Sequence, residues 1–262
     1  MKKVKVYFVT YNSTKHLNET LESFFSADNL DKLNLESYII NNHSNFILED
    51  KYVKLVKHVY HNELRPDFST GHLSRNWNQA IINGFKNLNE PDCDLVITCQ
   101  DDAIWNKDWV NILLELCEDY NFYTCNNGDL LCYYTPEAIK SIGLWDERFC
   151  NIQFQEADYF HRARIHYGEK SSINDTHHGR EHNPTKLLAL NPHSGEMLER
   201  SVPSNVYHAH SRNIFCQKWG EENIRWSDKN YQKTPSKISS FFFYPYFEKD
   251  MYEAKEKGYV VI

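Results

Sequence analysis

The composition of this 262-residue chain is that of a globular protein with a sizeable core. Hydrophobic residues make up 41% of the chain and aromatic residues 15%, so neither disulfides nor structural metals are needed to stabilise it. The formal net charge is -7 and no long basic run occurs. This charge pattern argues against the phosphate-backbone electrostatics of a nucleic-acid binder, and we expect no nucleic-acid partner.

Cysteine usage and hydropathy indicate an intracellular protein. The seven cysteines are odd in number and include no C-x-x-C pair, which favours reduced thiols over a disulfide framework. The N-terminal segment MKKVKVYFVTYN is interrupted by Lys5, and it predicts a first strand rather than a signal peptide. No stretch approaches the roughly 20 apolar residues of a membrane helix. We therefore expect a cytoplasmic protein without a transmembrane segment.

The first half of the chain alternates between strand-like and helix-like segments. Short apolar runs predict strands at residues 4–9 and 38–40, a weaker one near 54–59, and another at 95–99. Apolar residues at helical spacing predict helices from Thr14 onward, around 77–85 and near 105–117. This order predicts an α/β fold with a mixed, mainly parallel sheet and helices on both faces.

The second half is less regular. Thr135 as N-cap and Pro136 in the first turn predict a short helix that ends at Gly143. Another helix is predicted from about Gln155 to Tyr167. Residues 171–205 are rich in Ser, Asn, His, Pro and Gly and are interpreted as loop. Val206 and Tyr207 are interpreted as strand-like, and the aromatic run at 241–247 as a core or interface strand.

Polar residues follow three of the predicted strands. They are Thr10-Tyr11-Asn12, Asn41-Asn42 and Gln100-Asp101-Asp102. Ligands on parallel sheets bind at the carboxyl ends of the strands, so three such tips together indicate a site. Each tip taken alone is equally consistent with a solvated loop.

The adjacent carboxylates Asp101 and Asp102 favour a hard divalent cation. Mg²⁺ and Mn²⁺ prefer oxygen ligands, and substrate phosphates commonly complete their coordination. No G-x-x-x-x-G-K-[ST] motif occurs, so a P-loop is excluded. The alternative is that the pair only caps a helix that begins near Trp105.

Seven segments, in chain order, match an ordered set of motifs. The first is VYFVTYNSTKHLNETLESF, which resembles a strand, a T-Y-N motif and a helix, and the second is YIINNHS, which resembles a strand tip ending in D-N-x-S. The third, GHLSRNWNQAI, contains N-x-A-I, and the fourth, QDDAI, stands in the place of a D-x-D metal motif. IGLWDERF resembles G-x-F-D-E-x-F, QEADYFHRA resembles E-D-x-D-x-x-x-R, and VYHAHS contains V-x-H. Together they resemble the family-two glycosyltransferases with the GT-A (Rossmann-like) fold, over about residues 4–211.

This resemblance implies roles for the matched residues. The nucleotide-sugar donor would be bound by Thr10, Tyr11, Asn12, Asn41, Asn78 and Asp101. The cofactor, Mn²⁺ or Mg²⁺, would be held by Asp102 with His208 and His210. The acceptor would contact Trp145, Asp146 and Asp158. Glu156 stands where the family has its catalytic Asp. Asn41 replaces the Asp that reads the base, and Gln100 replaces the first acid of the metal motif.

The chemistry of Glu156 can also be argued from its position. It lies near the start of a predicted helix, where the dipole favours an anion, whereas the neighbouring carboxylate of Asp158 raises its pKa. These opposing influences suit a general base that takes a proton from a sugar hydroxyl. The alternative is a solvated first-turn acid, with Arg162 serving only as the i+4 partner of Asp158.

The predicted function is metal-dependent, inverting transfer of a sugar from a UDP-, GDP- or dTDP-linked donor to a hydroxyl of a glycan or glycoconjugate. We expect a GT-A domain at 1–215, with a nucleotide-sugar half at about 1–105 and an acceptor half at about 106–215. Residues 216–262 would form an aromatic-rich extension packed on the same domain.

Two other functions remain as alternatives to this prediction. A carbohydrate-binding subunit without catalysis is favoured by the departures at Asn41, Gln100 and Glu156. A sugar-phosphate nucleotidyltransferase is disfavoured because T-Y-N-S-T stands where such enzymes carry a glycine-rich loop.

Overall fold

The chain alternates strands and helices as far as α4 and then adds an antiparallel hairpin. A computed structural model describes residues 1–11, 14–42, 47–62, 73–126, 128–149, 154–167, 172–175, 187–192 and 205–219. The elements are β1 (Lys3–Thr10), α1 (Thr14–Phe25), β2 (Asn34–Asn41), α2 (Asp50–Val53), β3 (Val56–His61), α3 (Leu73–Phe85), β4 (Leu95–Gln100), β5 (Ile104–Trp105), α4 (Trp109–Asp119), β6 (Phe122–Asn126), β7 (Leu131–Tyr134), α5 (Pro136–Ile142), α6 (Phe154–Tyr167), β8 (Ser172–Asp175), β9 (Ala189–Leu190) and α7 (Asn205–Trp219).

A seven-stranded sheet organises these elements in the order β3-β2-β1-β4-β7-β6-β8. β1 pairs in parallel with β2 on one side and with β4 on the other, and β2 pairs in parallel with β3. β7 runs antiparallel to β4 and β6, whereas β6 and β8 are parallel. The predicted mixed, mainly parallel sheet is confirmed.

Helices cover both faces of the sheet, as predicted. Alternate residues of β1 point to opposite faces, so Phe8 packs with α1 and α4 while Tyr7 packs with α3. On the first face Phe24 and Trp109 stack with ring centroids 4.9 Å apart. On the second face Trp77 of α3 belongs to the same cluster as residues of α5 and α6.

The two helices predicted in the second half are confirmed. The Thr135 hydroxyl accepts a hydrogen bond from the backbone N–H of Ala138 at 3.1 Å, which makes it the N-cap of α5, and Gly143 follows the last residue of that helix. α6 begins at Phe154, one residue before the predicted start. Glu156 is thereby placed in the first turn of α6.

Three local predictions are wrong. Residues 104–105 form β5 and the helix begins only at Trp109. Two strands, β8 and β9, lie within the predicted loop 171–205, since pairing with β6 and β5 outweighs the polar composition of that segment. Residues 206–207, expected to be strand-like, belong to α7, whose Phe215 and Trp219 share one face and pack with residues of α6.

The expected domain boundary at residue 215 lies within α7. Beyond Trp219, the C-terminal segment, including the aromatic run 241–247, lies outside the described residues. Within the described ranges, no helix combines the length and the apolar character needed to cross a membrane.

Candidate active site

The tips of β1 and β4 are joined by the carboxylate of Asp101. Its Oδ2 accepts a hydrogen bond from the Thr10 hydroxyl at 2.6 Å and a longer one from the Tyr11 N–H at 3.4 Å. Its backbone carbonyl accepts from the hydroxyl of Thr20 on α1 at 2.8 Å. Asp101 is buried, so these bonds satisfy a carboxylate that would otherwise be costly at this position. Asp101 therefore holds the strand tips together.

The tip of β2 joins the same edge. Asn41 is paired with Thr10 in the parallel register and is buried, and its side-chain Nδ2 lies 3.2 Å from Nδ1 of His61. The backbone N–H of Asn42 donates to the carbonyl of Thr10 at 3.0 Å. The three tips thus converge as predicted. Asn12 lies outside the described residues.

Asp102 follows Asp101 and turns to the other side of the tip. It is buried, and its Oδ2 accepts a hydrogen bond from Nδ2 of Asn191 at 2.7 Å. The residue at the N-cap position of α4 is Asp108 rather than either member of the pair. Since the helix starts at Trp109, the helix-cap interpretation of Asp101 and Asp102 is wrong.

A further carboxylate, Asp129, lies beside this tip and escaped the sequence analysis. It stands in the turn between β6 and β7, where Oδ2 accepts from Nε1 of Trp77 at 2.7 Å and Oδ1 accepts from Nε2 of Gln100 at 2.9 Å. Burial raises its pKa to about 6, and the nearby charge of Asp102 adds to the effect. The strand-like runs FYTC and LCYY on either side of the turn residues NNGD were the available signal for this hairpin.

Glu156 faces the same turn. Gly128 has φ +58°, and a Cβ built on it would stand 3.4 Å from Oε1 of Glu156 and 3.6 Å from its Cγ. The half-buried Glu156 side chain therefore packs over the backbone of the residue that precedes Asp129. In this way the first turn of α6 packs against the turn that Asp129 ties to the end of β4.

Asp158 belongs to a buried charge cluster, which we define as Asp146, Asp158, Arg162 and Lys218. Lys218 Nζ lies 2.6 Å from Oδ1 of Asp158 and 3.2 Å from Oδ2 of Asp146, and Arg162 Nε donates to Asp158 at 3.0 Å. Burial pushes the pKa of Asp158 up, but Lys218 and Arg162 outweigh it and lower the pKa to about 2. The charge of Asp158 is thus compensated inside the protein.

The other residues expected at the acceptor are also buried. Trp145 has no exposed surface, stacks on Tyr159 with centroids 4.2 Å apart, and is held through its backbone by Asn78. Asp146 is also bonded to Arg148. Structural contacts inside the protein are thus made by Asn78, Trp145, Asp146 and Asp158. Their predicted donor- and acceptor-binding roles stay predictions.

The residues at the β4 tip suit a divalent cation that is shared with a substrate. Asp102 offers the hard oxygen ligand that Mg²⁺ and Mn²⁺ prefer. His210 is exposed on α7, and the side chain of His208 lies outside the described part of the structure. No group of three or more His, Cys, Asp or Glu among the described residues is arranged to hold a metal.

Comparison with solved structures identifies the architecture. The structure is similar to S. aureus TarS 1–349, with a TM-score of 0.52 at 12% identity over 95% of this chain and 77% of that one. The chain has a GT-A-like fold. The complex of TarS 1–349 with UDP has a TM-score of 0.51 at 13% identity, again over 95% of this chain and 77% of that one.

A second GT-A-like neighbour is the mannosyltransferase PcManGT from Pyrobaculum calidifontis in complex with GDP-Man and Mn²⁺. Its TM-score is 0.47 at 16% identity, over 79% of this chain. The chain spans 59% of the length of that protein. At the level of sequence, no protein-family model and no curated protein matches.

Proposed function

We propose that the chain is a metal-dependent, inverting glycosyltransferase that moves a sugar from a UDP-, GDP- or dTDP-linked donor to a hydroxyl of a glycan or glycoconjugate. The observation that carries the proposal is that two carboxylates in different surroundings, Asp102 and Glu156, belong to elements that the Asp129–Gln100 hydrogen bond links at one edge of the sheet. Asp102 lies at the tip of β4, and Glu156 lies across the β6–β7 turn. The GT-A-like fold supports this assignment by analogy only.

The donor nucleotide would lie on the tips of β1 and β2. Thr10, Tyr11 and Asn41 meet there with Asp101, and the TarS 1–349 neighbour was solved with UDP. Asn41 carries an amide in place of a carboxylate, so it can donate and accept hydrogen bonds to a base. We therefore expect Asn41 and Asn12 to contribute to the choice of base.

Asp102, with His208 or His210 as further candidates, would hold Mn²⁺ or Mg²⁺ beside the diphosphate. A divalent ion bound there supplies Lewis-acid stabilisation of the negative charge on the leaving group. The buried position of Asp102 strengthens its electrostatic interactions, since the local dielectric is lower than that of water.

Glu156 would act as general base. It accepts the proton of the acceptor hydroxyl while the hydroxyl oxygen forms a bond to the anomeric carbon. The bond from that carbon to the diphosphate oxygen breaks on the opposite face, so the configuration inverts and the nucleoside diphosphate leaves with the bonding electrons. The N-terminal turn of α6 favours the ionised form of Glu156, which is the form that can take the proton.

The test is the substitution Glu156→Gln, which keeps the shape of the side chain and removes its basicity. We expect release of nucleoside diphosphate from UDP-GlcNAc, UDP-Gal or GDP-Man, with Mn²⁺ and a panel of sugar acceptors, to fall by at least about 100-fold. Glu137→Gln is the matched control, because Glu137 is an exposed first-turn acid of α5. Full transfer activity in Glu156→Gln would remove the proposed base.

A further inference from the structure

The turn between β6 and β7 is fastened to two other elements. The side chain of Asp129 accepts from Trp77 of α3 and from Gln100 of β4, at 2.7 and 2.9 Å. The backbone N–H of Gln100 donates to the carbonyl of Leu130 at 2.8 Å, and the hydroxyl of Thr124 donates to the carbonyl of Gly128 at 2.7 Å. Each residue of the turn from 128 to 130 therefore accepts at least one hydrogen bond from a residue outside the turn.

The same turn forms the surface on which Glu156 rests. Gly128 adopts a left-handed φ of +58°, which favours glycine, and Oε1 of Glu156 lies 3.4 Å from the place where a Cβ on Gly128 would stand, a van der Waals contact distance. Any movement of the turn would therefore change the contact between Gly128 and the Glu156 carboxylate. Gln100 immediately precedes the Asp101-Asp102 pair, so one set of bonds links both ends of the site.

We infer that Asp129 is a positioning residue: it anchors the turn 128–130 to β4 and α3 and thereby fixes Glu156 relative to Asp102. The inference rests on the proposed function, in which Glu156 is the base. Asp129 acts here through its two accepted hydrogen bonds and not by contacting the reacting atoms. Reaction rates are sensitive to such placement, since an error of about 1 Å can cost about 100-fold.

Two substitutions of similar size distinguish an anchoring role of the Asp129 hydrogen bonds from a role of the Asp129 negative charge. Asp129→Asn keeps an acceptor for Trp77, and the amide of Gln100 can turn over to accept from the new amide nitrogen. Asp129→Leu fills the same space but accepts from neither. Trp77→Phe removes one of the two bonds and serves as the second variant if Asp129→Leu fails to fold.

The first readout is Mn²⁺-dependent release of nucleoside diphosphate from UDP-GlcNAc, UDP-Gal or GDP-Man, with water as acceptor. Asp129→Leu should lower kcat by at least about tenfold with little change in the donor KM, whereas Asp129→Asn should stay within about threefold of the parent. Trp77→Phe should fall between the two. A rate in Asp129→Asn as low as that in Asp129→Leu, or a parental rate in Asp129→Leu, would overturn the inference.

The second readout does not depend on turnover. In protein labelled with ¹³C at the glutamate carboxyl carbons, the resonance of Glu156 is identified by its loss in Glu156→Gln. We expect this resonance to move or split in Asp129→Leu and to keep its position in Asp129→Asn. An unmoved resonance in Asp129→Leu contradicts the anchoring role. Full activity of Glu156→Gln would instead contradict the role of Glu156 as base. Failure of the anchoring inference and failure of the proposed function therefore give different results.

Discussion

Lys218 lies at the centre of the buried charge cluster and makes the contact between α6 and α7 specific. Its Nζ is within ion-pair distance of two buried carboxylates, those of Asp146 and Asp158. Burial lowers the pKa of Lys218 despite both negative neighbours. Trp219 donates to the same carboxylate of Asp158 at 2.8 Å, so the last turn of α7 is held by polar contacts as well as by its aromatic residues.

Removal of the central cation should therefore destabilise the protein. We expect Lys218→Met to lower the free energy of unfolding by about 3–5 kcal/mol, because it leaves buried carboxylates with less compensation. Chemical denaturation measures the change. The control is Lys107→Met, since Lys107 is 75% exposed and lies 3.7 Å from Asp28, a pair expected to contribute less than about 1 kcal/mol. Equal, small changes in both variants would show that the cluster contributes little.

The sequence identified the carboxylates at the β4 tip and at the start of α6, but it could not reveal Asp129. Asp101, Asp102 and Glu156 are next to clear periodic patterns, and their elements follow from local spacing. Asp129 gains its importance from Trp77 and Gln100, which are 52 and 29 residues away along the chain. Contacts at such separation depend on the strand order, which local patterns do not specify.

At the scale of elements, the strongly periodic segments were predictable and the short polar ones were not. β1, α1, α3 and β4 follow from apolar spacing, and α5 from its capping residues. β8 and β9 are short and polar or weakly apolar, and they are strands because β6 and β5 offer paired backbone partners. α7 forms although Val206 and Tyr207 are strand-formers, since its apolar face packs on α6.

The close contact of α3 with β4 gives a prediction at this scale. A Cβ on Gly84 would stand 2.3 Å from Cγ2 of Val96, so Gly84→Ala must displace the Val96 side chain, the helix or the strand. We expect this substitution to destabilise the protein by about 1–3 kcal/mol, although alanine is the better helix former. The double variant Gly84→Ala/Val96→Ala should regain part of the loss relative to the sum of the single changes. Strictly additive effects in a double-mutant cycle would contradict the contact.

At the scale of the whole molecule, the GT-A-like fold brings residues from both halves of the chain to one edge. The first half supplies the tips of β1, β2 and β4, and the second supplies the β6–β7 turn and α6. The hairpin reverses the strand direction beside β4 and so carries the chain back to the site. The sequence predicted the parallel part of this arrangement. The hairpin against which Glu156 packs had a local signal in FYTC, NNGD and LCYY, but its position beside β4 depends on the strand order, which local patterns do not specify.

The measurement that tests the account most directly is metal-dependent donor binding at the tip of β4. Thermal unfolding is followed with UDP-GlcNAc, UDP-Gal and GDP-Man, each with Mn²⁺ and with EDTA, in the parent protein, in Asp102→Asn and in Asp108→Asn. Asp108 is the control because it is an exposed aspartate that lies beyond β5, at the N-cap position of α4. One donor, at about 100 times its Kd, should raise Tm by about 5–10 °C.

We expect this rise to need Mn²⁺, to survive in Asp108→Asn and to disappear in Asp102→Asn. A rise that persists in Asp102→Asn or in EDTA would contradict the metal assignment. The absence of a rise with any of the three donors in the parent protein would contradict donor binding at this edge of the sheet.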